Sequence, residues 1–348
     1  MIYIFLACTL IIIFVLIAWI VPRYAVFQMT RKRPATYDNC FDLLERYRVF
    51  SKQEFDDCDK EEIFIRSHDG LKLHGNYIEK HPYSDRIVII VHGYTSALPW
   101  SAQFMDMFFK LGYNALLIDQ RRHGQSEGIR TTFGLKEKRD IEAWVDWIIA
   151  NKGKDCTIGL HGQSFGGGTV LEYAANSHPF VKFIVADCPY SDLTELIRHQ
   201  VSVLNRLPAW PFMKLIDILL ESKAGFSMKD VSPLKVMETC KLPILFIHGA
   251  ADIFVPTHMS IDMYEAKPEP KELLLIDEAT HGVAYCYDKE RYADKVTQFV
   301  IQHTGLPTAR EMEEIDPSKH QDAASVQQPY PVYQVQEEPS HASMHRAT

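Results

Sequence analysis

The stretch CTIGLHGQSFGGG, residues 156–168, decides how this chain folds. Its first half, Cys156 to His161, is a short apolar run with strand character, and a helical pattern opens at Phe165. Between them sits Gly162-Gln163-Ser164-Phe165-Gly166, a G-x-S-x-G spacing. A serine at the apex of so tight a strand–turn–helix demands residues without a side chain two positions before and two after it. Gly167 and Gly168 extend the small surface and let the helix pack close. A glycine-rich anion-binding turn is the competing reading. It lacks the lysine of a phosphate loop, and the G-x-G-x-x-G spacing is not met after this strand.

Outward from this point, short apolar runs alternate with amphipathic stretches. Strands are predicted at Ile87–His92, Ala115–Asp119, Cys156–His161, Phe183–Asp187, Ile244–His248 and Leu273–Asp277. Helices are predicted near 99–111, 137–150, 165–177, 257–266 and 288–303. Strands this apolar are buried on both faces, which means a mostly parallel sheet between helical layers. Ahead of them, Glu61–Ser67 and Leu71–Ile78 flank His68-Asp69-Gly70, the signature of a leading antiparallel hairpin. One interval breaks the rhythm. About residues 189–240 form an insert with apolar helical segments at Leu193–Leu204 and Trp210–Leu220, placed where open α/β sheets form their sites. It reads as a helical cap over a pocket, a packing helix pair being the plainer alternative.

A serine nucleophile needs a base, and the base needs an orienting acid. In this architecture they follow in the order serine, acid, histidine. Asp252 (in HGAAD, 248–252) and His281 (in ATHG, 279–282) meet that order, each in a loop after a strand. Asp187, at the end of the strand after the Ser164 helix, is the rival acid, while Asp277 reads as a strand end. An oxyanion needs two N–H donors. The backbone N–H of Phe165 is one candidate, and that of Tyr94, after the turn at Gly93, is the other. His92 reads as an organiser of its loop, and Asp119 and Arg121 as residues that stitch a structured loop.

The N-terminus is of another kind. Residues 1–21, MIYIFLACTLIIIFVLIAWIV, carry no charge and would span roughly 30 Å as a helix, the thickness of bilayer hydrocarbon. A cleaved signal would want a basic start and an A-x-A-like exit, and neither is present. A transmembrane anchor is expected. Arg23, Arg31, Lys32 and Arg33 follow it and no basic residue precedes it, which puts the catalytic domain on the cytoplasmic side. Residues 22–60 read as a polar, partly helical connector, free or folded back. From Pro307 the chain holds five prolines and no Leu, Phe or Trp, so 307–348 reads as a disordered tail. Within it Pro329–Tyr333 has the look of a docking peptide, a solvated tail being the plainer reading.

Composition removes other classes. Lys+Arg 37 against Asp+Glu 45 gives a net charge of −8, with no basic stripe for nucleic acid. The seven cysteines are scattered, with no CxxC pair, and read as reduced thiols.

Together, HGYTS at 92–96, DQRRHGQSEG at 119–128, HGQSFGG at 161–167, HGAADIFVP at 248–256 and His281-Gly282 make residues 61–304 resemble the α/β-hydrolase superfamily. The likeness is greatest to its membrane-anchored and peptidase-related members, among whose relatives are esterases, lipases and aminopeptidases. The resemblance implies an α/β-hydrolase domain over 61–306, with Ser164, Asp252 and His281 as catalytic triad and no metal or cofactor. The expected activity is hydrolysis of a small, amphiphilic carboxylic ester or thioester, of short or medium acyl chain, beside the lipid bilayer. Aminopeptidase or amidase chemistry with the same triad is the alternative, and a catalytically silent scaffold is a third.

Overall fold

A computed structural model describes residues 1–153 and 155–306. The tail from Pro307, with its Pro329–Tyr333 stretch, lies outside the described residues. Eight strands form one sheet: β1 (Glu61–Arg66), β2 (Lys72–Ile78), β3 (Arg86–Val91), β4 (Asn114–Ile118), β5 (Thr157–Gln163), β6 (Val181–Asp187), β7 (Ile244–Gly249) and β8 (Lys271–Ile276). Their spatial order is β1-β2-β4-β3-β5-β6-β7-β8. The leading hairpin is antiparallel and joins β4 antiparallel, and every later pairing is parallel. Every residue of β3, β4 and β7 is buried, as the unbroken apolar runs require.

Helices cover both faces. In chain order they are α1 (Ile2–Thr30), α2 (Tyr37–Tyr47), α3 (Lys52–Asp56), α4 (Leu98–Ser101), α5 (Met105–Phe109), α6 (Glu137–Lys152), α7 (Phe165–Tyr173), α8 (Leu193–His199), α9 (Ala209–Ala224), α10 (Pro233–Met237), α11 (His258–Ala266), α12 (Ala284–Tyr287) and α13 (Lys289–Thr304). One face packs against α2, α4, α5 and α13 through Leu44, Phe104, Phe108 and Phe299. The other packs against α6, α7 and α11 through Trp144, Val145, Leu171 and Met263. A third cluster joins the cap helices α8 and α9 to Phe133, Phe165 and Tyr190, and includes Val26 and Met29 of α1.

The N-terminal segment departs from a simple anchor and tether. Helix α1 is long and apolar enough to cross a membrane by length and composition. It does not stop at Val21 but runs through Pro22 to Thr30, where Val26, Met29 and Thr30 are buried. Its end is tied down: Thr131 donates to Thr30 O (3.1 Å) through its N–H and to Met29 O (3.0 Å) through its hydroxyl. The stretch that follows is also packed. Capping boxes at Thr36/Asn39 and Ser51/Glu54 start α2 and α3, and Cys40, Phe41, Leu44 and Phe55 are buried against the sheet layer.

Candidate active site

Strand β5 delivers Ser164 to the carboxyl edge of the sheet, where it adopts φ 54° and ψ −112°. A side chain prefers to avoid that conformation, and the neighbours enforce it. A Cβ on Gly162 would sit 2.3 Å from Gly166 O, and one on Gly166 would sit 2.2 Å from Val91 O. The Ser164 N–H donates to Asp187 O (2.7 Å) and Gly168 N–H donates to Ser164 O (2.9 Å), locking the turn from both sides.

From Ser164 a chain of hydrogen bonds runs through two more loops. Ser164 Oγ lies 2.8 Å from His281 Nε2, and His281 Nδ1 lies 2.6 Å from Asp252 Oδ2. Asp252 Oδ1 accepts the N–H groups of Phe254 (2.9 Å) and Val255 (3.0 Å), and Oδ2 also accepts from His248 Nε2 (3.1 Å). Burial alone would raise the Asp252 carboxyl. Hydrogen bonds from His248 and His281 outweigh burial and hold it well below the usual carboxylate range. Asp252 is therefore an ionised acceptor, so His281 Nδ1 carries the proton and Nε2 faces the serine as acceptor. The Phe254 ring covers the imidazole at 5.1 Å.

Asp187 is placed differently. It is fully buried, and Oδ2 accepts from Gln163 Nε2 (2.9 Å) rather than from His281. Burial pushes this carboxyl up, toward its neutral form. Gln163 also donates to Gly282 O (3.2 Å) and accepts from Trp100 Nε1, so it supports the His281 loop from beneath. Asp277 is exposed and meets Arg291 at 3.7 Å, away from the serine.

The loop after β3 passes directly over the serine: a Cβ on Gly93 would lie 3.5 Å from Ser164 Cβ. Among the described residues, neither the Tyr94 nor the Phe165 N–H has a backbone or side-chain acceptor. His92 Nε2 accepts Gln120 N–H (3.1 Å), so Nδ1 donates to Gly93 O (2.8 Å), and the ring organises this loop. Asp119 and Arg121 each stitch the neighbouring loop, to separate partners. Asp119 accepts the N–H groups of Leu98 (2.8 Å) and Gln125 (3.0 Å), and Arg121 forks onto Asp140 (2.6 Å) and reaches Asp69.

Cys188, Asp252 and His281 offer ligand atoms within 4.8 Å of one another. Burial raises the Cys188 thiol well above its ordinary value, and the other two groups already bond each other, a poor donor set for a cation.

Above the serine lies a cavity of about 650 Å³, roofed by the cap through Leu196, Ile197, Val201 and Ile216. Its unforeseen wall is α1, which contributes Val21, Tyr24, Ala25, Gln28 and Met29. Tyr94 OH donates to Gln28 O at 2.5 Å, fixing this wall to the loop over the serine. A second cavity of about 310 Å³, bordered by α2, Ser96 and Trp100, meets the first at Tyr94, Thr95, Ser164 and His281. Neither the α1 wall nor the role of His248 was visible in the sequence. Past Val21 the residues Arg23, Tyr24, Gln28 and Lys32 look like a membrane flank. His248 reaches Asp252 only because the intervening loop folds back.

The X-Pro dipeptidyl-peptidase (S15 family) profile matches residues 68–225. An uncharacterized protein of Bacillus subtilis, YqkD, is 32% identical over 264 residues, which cover 76% of this chain and 84% of that one. The Pyrococcus furiosus esterase Pf2001 superposes with a TM-score of 0.58 at 27% identity, over 73% of this chain and 96% of that chain. Pyrococcus horikoshii acylaminoacyl peptidase shares the fold, with a TM-score of 0.57 at 21% identity, over 72% and 43% of the two chains.

Proposed function

The chain belongs to the α/β-hydrolase superfamily, and from that premise we propose that it hydrolyses carboxylic esters or thioesters through an acyl-enzyme on Ser164. The observation that carries this reading is the unbroken relay from Ser164 Oγ through His281 to Asp252, on the floor of an apolar cavity. His281 Nε2 takes the serine proton as Oγ attacks the acyl carbonyl, and Asp252 stabilises the imidazolium. The N–H groups of Tyr94 and Phe165 receive the oxyanion. His281 then protonates the departing alcohol or thiol, and water repeats the sequence to release the acid.

Two features favour an ester over a peptide. The Pyrococcus furiosus relative is an esterase. Among the described residues lining either cavity there is no carboxylate, so a peptide's free ammonium would find no counter-charge. Amide hydrolysis is the second reading, supported by the S15 profile. The reading extends to place: the anchor, through residues 1–21, puts the domain beside a bilayer, facing the cytoplasm by its basic flank. Ser164 in full-length protein should take up a fluorophosphonate, and Ser164→Ala should lose p-nitrophenyl acetate hydrolysis by several powers of ten. Faster cleavage of aminoacyl anilides than of esters would favour the peptidase; no adduct in folded protein would favour a silent scaffold.

A further inference from the structure

The ester reading leaves open what fills the large cavity, and α1 bears on that. This helix has two unlike parts. Most of Ile2 to Ile20 is exposed: Ile4, Phe5, Leu10, Ile11, Phe14 and Trp19 each show half or more of their surface. At about 1.5 Å per residue this part is about as long as bilayer hydrocarbon is thick. Val21 to Met29 instead lines the cavity above Ser164.

The junction carries the marks of a membrane interface. The Arg23 guanidinium lies 4.3 Å over the Trp19 ring and donates to Trp19 O (2.9 Å), and Tyr24 is exposed beside them. Trp and Tyr with a snorkelling cation is the residue set that sits at headgroup depth. Val21, Tyr24 and Ala25 belong to the same turns, so one end of the cavity opens at that depth. From Val21 to Gln28, whose carbonyl holds Tyr94, the helix rises about 10 Å. The cavity thus runs from the interface to the serine along one face of α1, where Val21, Ala25 and Met29 are the apolar residues. The cap side continues that character, with Val203 and Trp210 exposed on either side of the lining residues Asn205 and Leu207.

We infer that Val21, Ala25 and Met29 of α1 form the acyl-binding wall, and that the substrate is a single-chain amphiphilic ester entering from the bilayer. Its tail lies along α1, its carbonyl reaches Ser164, and its polar leaving group takes the smaller cavity beside Ser96 and Gln163. This rests on the ester reading and adds the substrate class and the residues that select it. Chain length is then set by residues that lie outside the hydrolase domain in sequence.

The test uses full-length protein in phospholipid vesicles and p-nitrophenyl esters from acetate to laurate. Wild type should prefer the longer chains. Ala25→Trp, which adds bulk to the α1 wall, should lower the laurate-to-acetate ratio of kcat/KM at least about ten-fold, the effect of blocking a few methylenes. Fluorophosphonate labelling of Ser164 reports that the fold and relay persist. If the tryptophan abolishes labelling, Ala25→Leu is measured by the same ratio, with the same direction expected. A labelled variant with the wild-type ratio overturns the α1 wall. Wild type that hydrolyses acetate through Ser164 without preferring longer chains overturns the amphiphile, and laurate turnover as fast from separate vesicles as from the protein's own overturns entry from the bilayer. Absence of any Ser164-dependent ester hydrolysis instead overturns the underlying ester reading.

Discussion

His248 and Asp252 stand four residues apart and meet at 3.1 Å, on the same carboxylate oxygen that His281 reaches at 2.6 Å. His248 Nε2 also lies 3.0 Å from Val255 O, so with two acceptors before it that nitrogen carries the proton. The orienting acid is itself oriented. His248→Phe should leave Asp252 held by His281 and two amide groups, lower kcat about ten-fold and change KM little. A His248→Phe variant with wild-type kcat would contradict this role.

The two candidate acids separate by neutral substitution. Asp252→Asn should cut kcat by about 10⁴, because the amide favours the wrong imidazole tautomer. Asp187 is pushed toward its neutral form and accepts from Gln163, with the Tyr292 hydroxyl beside it, and an asparagine oxygen also accepts. Asp187→Asn should retain turnover within about three-fold. Steady-state ester kinetics on both variants decide it.

Acid stability follows from the sign of the Asp252 shift. Its folded pKa lies below the unfolded value of about 3.9. The stabilisation it gives is therefore fully present above the unfolded value and is lost as pH falls through the folded one. Urea unfolding of wild type and Asp252→Asn should show a constant gap from neutral pH down to about 5, closing on further acidification. A gap that widens toward acid would reverse this assignment.

The serine turn should tolerate no methyl group. Gly166→Ala would place carbon 2.2 Å from Val91 O, and Gly162→Ala would place it 2.3 Å from Gly166 O, both against backbone. Each should cost about 3 kcal/mol or prevent folding, read as a lowered Tm or loss of soluble domain.

Arg121 is buried and holds two carboxylates, Asp140 on a two-pronged contact and Asp69 at 3.0 Å. Arg121→Met should destabilise the fold by about 3–5 kcal/mol, because Asp140, whose carboxyl burial already pushes up to about 6, loses the partner that offsets its burial. Adding Asp140→Leu should recover much of that loss in chemical unfolding.

What the sequence made legible was local. An apolar run, a G-x-S-x-G turn and a helical pattern at 156–168 locate β5, Ser164 and α7, since each depends on neighbours a few positions away. The other sheet strands were legible for the same reason, within one or two residues at their ends. Long-range choices were not. Nothing in 61–78 says that β2 lies beside β4 rather than β3, because the hairpin is satisfied at either place. The length of α1 beyond Val21 was hidden by Arg23, Gln28 and Lys32, whose polarity reads as solvent until the cap residues Phe212 and Ile216 are there to cluster with Val26 and Met29. The His248–Asp252 bond depends on the loop's return, which one-dimensional spacing does not encode.

Because Pro22 is absorbed without a break, α1 is one rod from Ile2 to Thr30. Its two parts therefore have a fixed angular phase. One residue inserted between Trp19 and Val21 turns everything ahead of it by about 100° relative to the cavity, and three or four inserted together nearly restore the alignment. Trp19 would swing away from Arg23 and from the side on which Val21 and Ala25 open, while length and apolarity scarcely change. Activity on membrane-borne esters should then oscillate with insertion length on a helical period, the response of a keyed shaft rather than of a leash.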